Sequence, residues 1–329
     1  MPETPPALGA PMSTEPETTS VARGSPWRRL LRFLTSPLVR VCTILLLVAF
    51  WARAIASSWE QARTYPWHIG LPLLVLSFAS LSLHMLGLAF TWSWLLKRLG
   101  QTISTRAAVR IWLTSQFARY LPGPAWDAWG RLGIGARAGL DFAAASLSIV
   151  LEMAAGVLAY TALVLLSLPF WPDASRLGYL RYAPFLLPLG LIALYPPLFN
   201  WSVNLALRLV HRPTLTVRLP LTTVMLLFCQ EFAWRLVEAL GLLFLAEALV
   251  PGSAHLAALL VGAQAAAWLI GFFAVFVPAG IGVREGAFAF LLAPVLPIAI
   301  GTAIALAFRL LCGLRDLLAL LAASLLRRP

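Results

Sequence analysis

Repeated apolar blocks are the feature of this sequence that most limits its fold. A block of about 18 or more apolar residues can cross the hydrocarbon core of a bilayer as a helix. Such blocks fill much of the chain, whose 329 residues are 60% hydrophobic and only 12% charged. A soluble globular domain carries about 25% charged residues. The sequence therefore predicts an all-α, polytopic helical membrane protein.

The apolar blocks predict about eight spanning helices. Their approximate bounds are 38–57, 69–96, 138–168, 183–203, 221–249, 255–278, 284–298 and 300–326. The segment 103–121 is also apolar, but Arg106, Arg110 and Arg119 interrupt it. A surface helix or a re-entrant half-helix suits this segment better than a full span.

The two ends of the chain and its basic residues predict an orientation. Residues 1–37 are rich in Pro, Thr, Ser and Glu at their start and basic at their end. We predict a disordered cytoplasmic tail with a basic juxtamembrane segment over 1–37, and a transmembrane domain over 38–329. With eight crossings and cytoplasmic termini, 18 basic residues lie inside and three lie outside. Such an excess is typical of a multi-pass protein of the plasma (inner) membrane in this orientation.

Fusions to alkaline phosphatase, which is active only outside the cytoplasm, test the orientation. A fusion after Pro329 should be inactive, because the basic excess holds this end in the cytoplasm. A fusion within the predicted external loop at 58–68 should be active and serves as the control. Strong activity of the Pro329 fusion would contradict the predicted orientation.

Composition and residue spacing argue against several function classes. The net charge of +12 comes mainly from residues between the apolar blocks, where basic side chains orient helices and contact anionic headgroups. Nucleic-acid binding needs a basic face on a folded soluble domain, and no stretch is long enough to form one. The three cysteines and four histidines show no metal-binding spacing. We expect no nucleic-acid partner, no metal and no cofactor.

Two breaks rich in Pro and Gly interrupt the helices at membrane depth. The first, RYLPGPAWD at 119–127, is followed by Arg131, and the second is VPAGIGVREG at 277–286. Broken backbone is tolerated at this depth where it is buried in protein or lines a wet cavity, and paired breaks mark substrate sites in transporters. A helix restarting near Val283 would aim free amides, its positive end and Arg284 at one spot, which suits a phosphate headgroup. Ordinary turns are the alternative.

Charged residues inside the predicted spans also indicate a polar pathway. In the fifth predicted helix, Glu231, Arg235 and Glu238 share one face, and Arg235 can neutralise only one of the two glutamates. Glu152 lies in the middle of the third helix and Arg309 lies in the last. Each such charge is costly in a bilayer, so a functional role explains them better than self-neutralising ion pairs.

Together the breaks and the charged helix faces predict one substrate-binding site, with the two breaks close together around one cavity. We expect this site to contain Arg119, Pro122, Gly123, Trp126, Asp127, Arg131, Glu152, Glu231, Arg235, Gly280, Gly282, Arg284, Glu285 and Arg309. The arginines would hold an anionic headgroup, and the carboxylates would complete a polar path. Tryptophans near helix ends, such as Trp67 and Trp92, are instead typical of interfacial anchors.

Both breaks resemble motifs of one family, the lysylphosphatidylglycerol synthase/flippase transmembrane family. RYLPGPAW at 119–126, the following Gly130-Arg131, and Glu152 resemble its first half. PAGIGVREGAFAFLL at 278–292, followed by a last helix with an arginine, resembles its second half. The resemblance covers most of residues 40–325. Asp127 stands near a position where many relatives carry glutamate.

The resemblance implies a stand-alone membrane domain that moves lipid-linked molecules between leaflets or accompanies the enzymes that make them. Its partner would be a membrane lipid or a lipid-linked substrate. Synthase members carry a cytosolic aminoacyl-transfer domain after the membrane part. This chain ends at Pro329, so we expect neither that domain nor aminoacyl transfer.

Two other function classes stay open. One is a membrane-embedded enzyme, such as a polyprenyl-phosphate glycosyltransferase, which needs acidic residues in an early external loop; residues 58–68 offer only Glu60. The other is a scaffold subunit for a cytosolic or membrane enzyme of lipid-linked glycan or phospholipid synthesis. We expect a lipid translocase that is not an enzyme.

Overall fold

The apolar stretches form long helices in a computed structural model, which describes residues 56, 60, 63–116, 118, 126–171, 219–274, 280 and 282–325. The described residues contain eight α-helices and no strand. The α-helices are α1 Leu71–Arg98, α2 Thr105–Gln116, α3 Trp126–Arg137, α4 Phe142–Ser167, α5 Leu221–Leu249, α6 Ala257–Phe273, α7 Val283–Leu292 and α8 Ile298–Leu325. Short 3-10 turns at Leu168–Phe170 and Ser253–Leu256 extend α4 and precede α6.

Three helical segments are long and apolar enough to cross a membrane by length and composition alone: Leu71–Arg98, Phe142–Phe170 and Ser253–Phe273. Helices α5 and α8 are as long, at 29 and 28 residues, but carry charges along their length. The all-α membrane architecture predicted from the sequence is thus confirmed. The predicted tail at 1–37, most of the predicted helix at 38–57 and the whole of that at 183–203 lie outside the described residues.

Helix ends follow the local chemistry of the sequence. Helix α1 has Pro72 in its first turn and ends before Gly100, whose φ of +77° a side chain would disfavour. Helix α4 begins after Asp141, whose carboxylate accepts a hydrogen bond from the Ala144 backbone N–H at 2.8 Å. That bond satisfies one of the amides that a helix start leaves without a partner.

Three helices are too short to cross a bilayer. Helices α2 and α3 have 12 residues each. Helix α2 agrees with the surface helix or half-helix predicted at 103–121, whereas α3 begins at the end of the first break and was not predicted as a helix. Helix α7 has ten residues, or about 15 Å at a rise of 1.5 Å per residue, and is shorter than the span predicted at 284–298. The reason is local, because Pro294 and Pro297 follow its end and cannot continue the helix.

Helices α1 and α5 pack against each other at the centre of the fold. Gly87 of α1 lies so close to Trp234 of α5 that an added Cβ would overlap the indole ring. The Ser77 hydroxyl donates to the Gly241 carbonyl at 2.7 Å. Around this pair, α6 packs on α4 and α7, α7 packs on α8, and α2 and α3 pack on each other beside α1 and α4.

The outer faces of the helices suit a lipid environment. On α1, for example, the apolar side chains of Leu71, Val75, Leu83 and Phe90 are exposed.

The position of one tryptophan differs from its prediction. Trp92 was predicted as an interfacial anchor, but it is fully buried, and its Nε1 donates to the Ser148 hydroxyl at 2.9 Å. The hydroxyl on α4 satisfies the indole N–H, so this ring belongs to the core.

Candidate functional site

A cavity of about 440 Å³ lies inside the bundle, and all eight described α-helices contribute to its lining. This volume is in the usual range of small-molecule sites, which is about 300–1,000 Å³. Among the described residues, the charged ones of its wall are five arginines and five carboxylates: Arg131, Arg235, Arg284, Arg309, Arg315, Asp127, Glu152, Glu238, Glu285 and Asp316.

Most of the residues predicted from the sequence lie at this cavity. Its wall includes Asp127, Arg131, Glu152, Arg235, Gly280, Arg284, Glu285 and Arg309. Glu231 lies behind Arg235, and Gly282 precedes α7. Arg119, Pro122, Gly123 and the Trp126 side chain lie outside the described residues. Described residues of both breaks, Asp127 of the first and Gly280 with Arg284 of the second, thus line the same cavity, as does Arg131 just after the first break.

Arg131 and Glu152 form a buried ion pair that holds the α2–α3 hairpin against the core. Arg131 Nη1 lies 2.5 Å from Glu152 Oε2, and Trp112 Nε1 donates to Glu152 Oε1 at 3.1 Å. The guanidinium also lies over the rings of Trp92 and Trp112, at 5.7 and 5.9 Å from their centroids. Asp127 is more distant, at 4.0 Å from Arg131 Nη2. One charge cluster therefore joins α1, α2, α3 and α4.

A second cluster surrounds Arg235, and its three charged residues point into the bundle as predicted. Arg235 Nη2 donates to Glu231 Oε2 at 2.9 Å, and Nη1 lies 2.9 Å from His84 Nε2. Nη1 also donates to the Tyr160 hydroxyl at 3.3 Å, and that hydroxyl donates to Glu238 Oε2 at 2.5 Å. All five side chains are buried.

Gly156 of α4 makes room for this cluster. A Cβ at Gly156 would lie 3.2 Å from Arg235 Nη2 and 3.5 Å from Glu231 Oε2. The first distance is tighter than an ordinary van der Waals contact, so a side chain here would press on the guanidinium. The absence of a side chain at 156 therefore lets α4 approach the charges of α5.

Glu285 occupies the start of α7, where the sequence predicted a free anion site. Its Oε2 accepts a hydrogen bond from the Gly282 backbone N–H at 2.6 Å, and its Oε1 lies 3.2 Å from Arg309 Nη1. The carboxylate of the third residue of the helix thus turns back to the helix start, as in a capping box. An exogenous anion would compete with this carboxylate at the Gly282 amide, so the arginine side chains are the better anion ligands.

Arg284 lies against an aromatic stack. Its guanidinium is 5.3 Å from the centroid of the Trp268 ring, which stacks on Tyr160 at 4.1 Å and on Phe272 at 5.1 Å. Gly271 leaves space for the arginine, because a Cβ there would overlap its aliphatic stem. Gly280, with φ of +63°, leaves space on the other side, where a Cβ would lie 2.8 Å from Nε.

Several site residues were absent from the set predicted as substrate-binding. His84, Tyr160, Gln264, Trp268 and the neighbouring pair Arg315–Asp316 all line the cavity. Arg315 Nε and Nη2 both donate to Asp316 Oδ1, at 2.9 and 2.7 Å. Two of these residues could have been found from the sequence by their polarity. His84 and Gln264 are isolated polar residues in apolar helices, where polar side chains often serve a function.

Comparison with known proteins agrees with these observations. The family model described as "Lysylphosphatidylglycerol synthase TM region" matches residues 30–314. No curated protein and no solved structure matches the chain. The family match covers most of the chain, including both breaks, the Arg131–Glu152 pair and the Glu285–Arg309 pair. The chain therefore belongs to the lysylphosphatidylglycerol synthase transmembrane-region family, whose membrane proteins act in lipid modification and translocation.

Proposed function

We propose that this protein moves an anionic or lipid-linked substrate between the two leaflets of the plasma membrane, without enzymatic chemistry and with both termini in the cytoplasm. The observation that carries the proposal is a charged cavity inside a bundle whose outer surface is apolar. A lipid headgroup needs polar partners on its way across a bilayer, and charged residues are too costly there to be retained without a role.

The cavity reaches residues on the outer surface of the bundle. Phe273 and Met153 line the cavity and are 66% and 38% exposed. An opening between α4 and the end of α6 would let a headgroup enter while its acyl chains stay in the bilayer. This arrangement separates the polar path for the headgroup from the apolar path for the chains.

The arginines at the second break are the best candidates to hold a phosphate. Arg284 lies over Trp268, and Arg309 keeps 26% of its side chain exposed although it contacts Glu285. A guanidinium offers several N–H donors in a planar fork that matches phosphate oxygens. We assign the phosphate contact to Arg284 first, because Gly271 and Gly280 shape the wall around its side chain.

Translocation of fluorescent phospholipids in proteoliposomes tests this proposal. Vesicles with the protein should move a phosphatidylglycerol probe faster than empty vesicles. Arg284→Ala should slow this movement by about tenfold or more, because a hydrogen bond to a charged group is worth about 1.5–3 kcal/mol. Arg137→Ala, a change of an exposed arginine at the end of α3, should have no comparable effect.

Two results would count against the proposal. One is a wild-type protein that moves neither phosphatidylglycerol, phosphatidylethanolamine nor a polyprenyl-phosphate probe faster than empty vesicles. The other is an Arg284→Ala protein that binds and moves lipid as the wild type does. Mass spectrometry of the lipids that copurify with both proteins measures binding separately from transport.

A further inference from the structure

Gln264 is an isolated polar residue in the middle of an apolar helix. It lies on α6, within the segment Ser253–Phe273 that is long and apolar enough to cross a membrane. All 17 residues of α6 are described, and Gln264 is the only one whose side chain carries a hydroxyl, an amide or a charge. An amide at this depth is costly unless it has a hydrogen-bond partner. Gln264 therefore needs a partner, either in the protein or in a ligand.

The Gln264 amide has no such partner in the described part of the protein. Its side chain forms no hydrogen bond with any described residue, although it is partly buried and lines the cavity. Most charged side chains of the cavity wall instead pair with one another, as Arg131 does with Glu152. Those pairs hold the helices together, whereas the amide of Gln264 is available to a molecule in the cavity.

Gln264 lies close to the arginine proposed to hold phosphate. Gln264, Trp268 and Gly271 follow one another at helical spacing on one face of α6, and all three line the cavity. The stem of Arg284 lies against Gly271, and its guanidinium is 5.3 Å from the centroid of the Trp268 ring. From Trp268 to Gln264 the rise is one turn, or about 6 Å at 1.5 Å per residue. The same wall thus presents a guanidinium and, one turn away, an amide.

A hydroxyl group is the ligand group that best matches this amide. A primary amide has N–H donors and an acceptor oxygen, and a hydroxyl likewise donates and accepts. A quaternary ammonium group can do neither. A primary ammonium group can only donate, and it would be repelled by Arg284 and by Arg235, whose guanidinium is 5.9 Å from the Trp268 centroid. A headgroup with hydroxyls beyond its phosphate can therefore bind Gln264 while Arg284 binds the phosphate.

We propose that Gln264 is a specificity-determining residue that selects phospholipids whose headgroup carries free hydroxyl groups, such as a glycerol or a larger polyol. This inference rests on the proposed function and adds the chemical class of the headgroup. Arg284 recognises the phosphate that all phospholipids share, so it does not distinguish among them. Gln264 distinguishes them, because a headgroup without hydroxyls leaves the amide without a partner, and sites built to hydrogen-bond a hydroxyl discriminate against analogues that lack it.

Competition between two matched lipids tests this assignment. Phosphatidylglycerol and phosphatidylpropanol have headgroups of the same charge and similar length, but only the first has free hydroxyls. Wild-type protein should bind and move phosphatidylglycerol about three- to tenfold better, which is the effect expected of one hydrogen bond. Gln264→Met keeps the length of the side chain but removes the amide. This variant should lose the preference, and it should do so through weaker handling of phosphatidylglycerol alone.

Gln230→Met is the matched control, because it makes the same chemical change at a glutamine of α5 that does not line the cavity. The Gln230 amide oxygen already accepts a hydrogen bond from the Thr91 hydroxyl at 3.0 Å. This variant should keep the wild-type preference even if its thermal stability falls. Gln264→Met should unfold at or above the wild-type temperature, because it loses no hydrogen bond to a described residue. A marked fall in that temperature would assign the amide a structural role instead.

Binding to the purified protein, measured by native mass spectrometry, separates this inference from the proposed function. Equal binding of phosphatidylglycerol, phosphatidylinositol and phosphatidylpropanol by the wild type would overturn the role of Gln264, as would an unchanged preference in Gln264→Met. Movement of all three lipids without discrimination would also overturn it but would leave translocation intact. A binding preference that is lost in Gln264→Met, with no lipid moved faster than in empty vesicles, would reject only the proposed translocation.

Discussion

Replacing Arg235 with methionine should strongly destabilise the protein and lower the amount of folded protein in the membrane. Arg235 is the cation nearest to Glu231, which is fully buried, and it also contacts His84 and Tyr160. Removing one partner of a buried ion pair costs about 3–5 kcal/mol, which is a large part of the net stability of a typical protein, about 5–15 kcal/mol. The yield of monodisperse protein in mild detergent and its thermal unfolding measure the effect.

A second substitution distinguishes a charge effect from a loss of packing. Arg235→Met combined with Glu231→Met should recover much of the folded protein, because two apolar side chains can replace a buried ion pair at little cost. Arg235→Lys should be intermediate, since lysine keeps the charge but lacks the planar fork that reaches both Glu231 and Tyr160. A double variant no more stable than Arg235→Met would show that the charge balance is not the cause.

Replacing Arg131 with methionine should loosen the α2–α3 hairpin. Glu152 would lose its ion pair and keep the hydrogen bond from the Trp112 N–H. The free energy of unfolding should therefore again fall by about 3–5 kcal/mol. The effect should also be local, because the Arg131–Glu152 pair joins α3 to α4. Hydrogen exchange should therefore accelerate in α2 and α3 more than in α5.

Asp127→Asn is the control for Arg131→Met. Asp127 lies 4.0 Å from the same guanidinium, but its side chain is 33% exposed. Ion pairs of this kind contribute about 1 kcal/mol or less. The control should unfold close to the wild-type temperature with unchanged exchange in α2 and α3. Equal destabilisation by both substitutions would mean that the ion pair with Glu152 does not hold the hairpin.

At each of the two breaks, a short helix forms an ion pair with the long helix that follows it. The short helix carries the arginine in the first pair and the glutamate in the second. After the first break, Arg131 of the short helix α3 pairs with Glu152 of the long helix α4. At the end of the second break, Glu285 of the short helix α7 pairs with Arg309 of the long helix α8. Each pair holds a short helix to the next long one at the cavity wall. This similarity is consistent with discontinuous elements in corresponding positions of the two halves, as in secondary transporters.

Local sequence properties were sufficient to predict the architecture. Apolar length determines which segments form long helices, because a bilayer accepts only backbone whose hydrogen bonds are satisfied within the segment. Helical periodicity places Glu231, Arg235 and Glu238 on one face of α5, and the structure has that helix at the predicted bounds, Leu221–Leu249. The glycines near 280 predicted the restart of a helix at Val283, where α7 begins.

Partnerships between distant residues were decided only by the tertiary structure. The sequence cannot show that Glu152 meets Arg131, or that Tyr160 and His84 come to Glu238 and Arg235 from other helices. It predicted a free anion site at α7, but Glu285 folds back to the Gly282 amide and meets Arg309. Likewise, the position of Trp92 near a helix end predicted an interfacial side chain, but this side chain is buried. Its N–H donates a hydrogen bond to the Ser148 hydroxyl of α4. Helix formation depends on neighbours in sequence, whereas the pairing of buried charges depends on which helix faces meet.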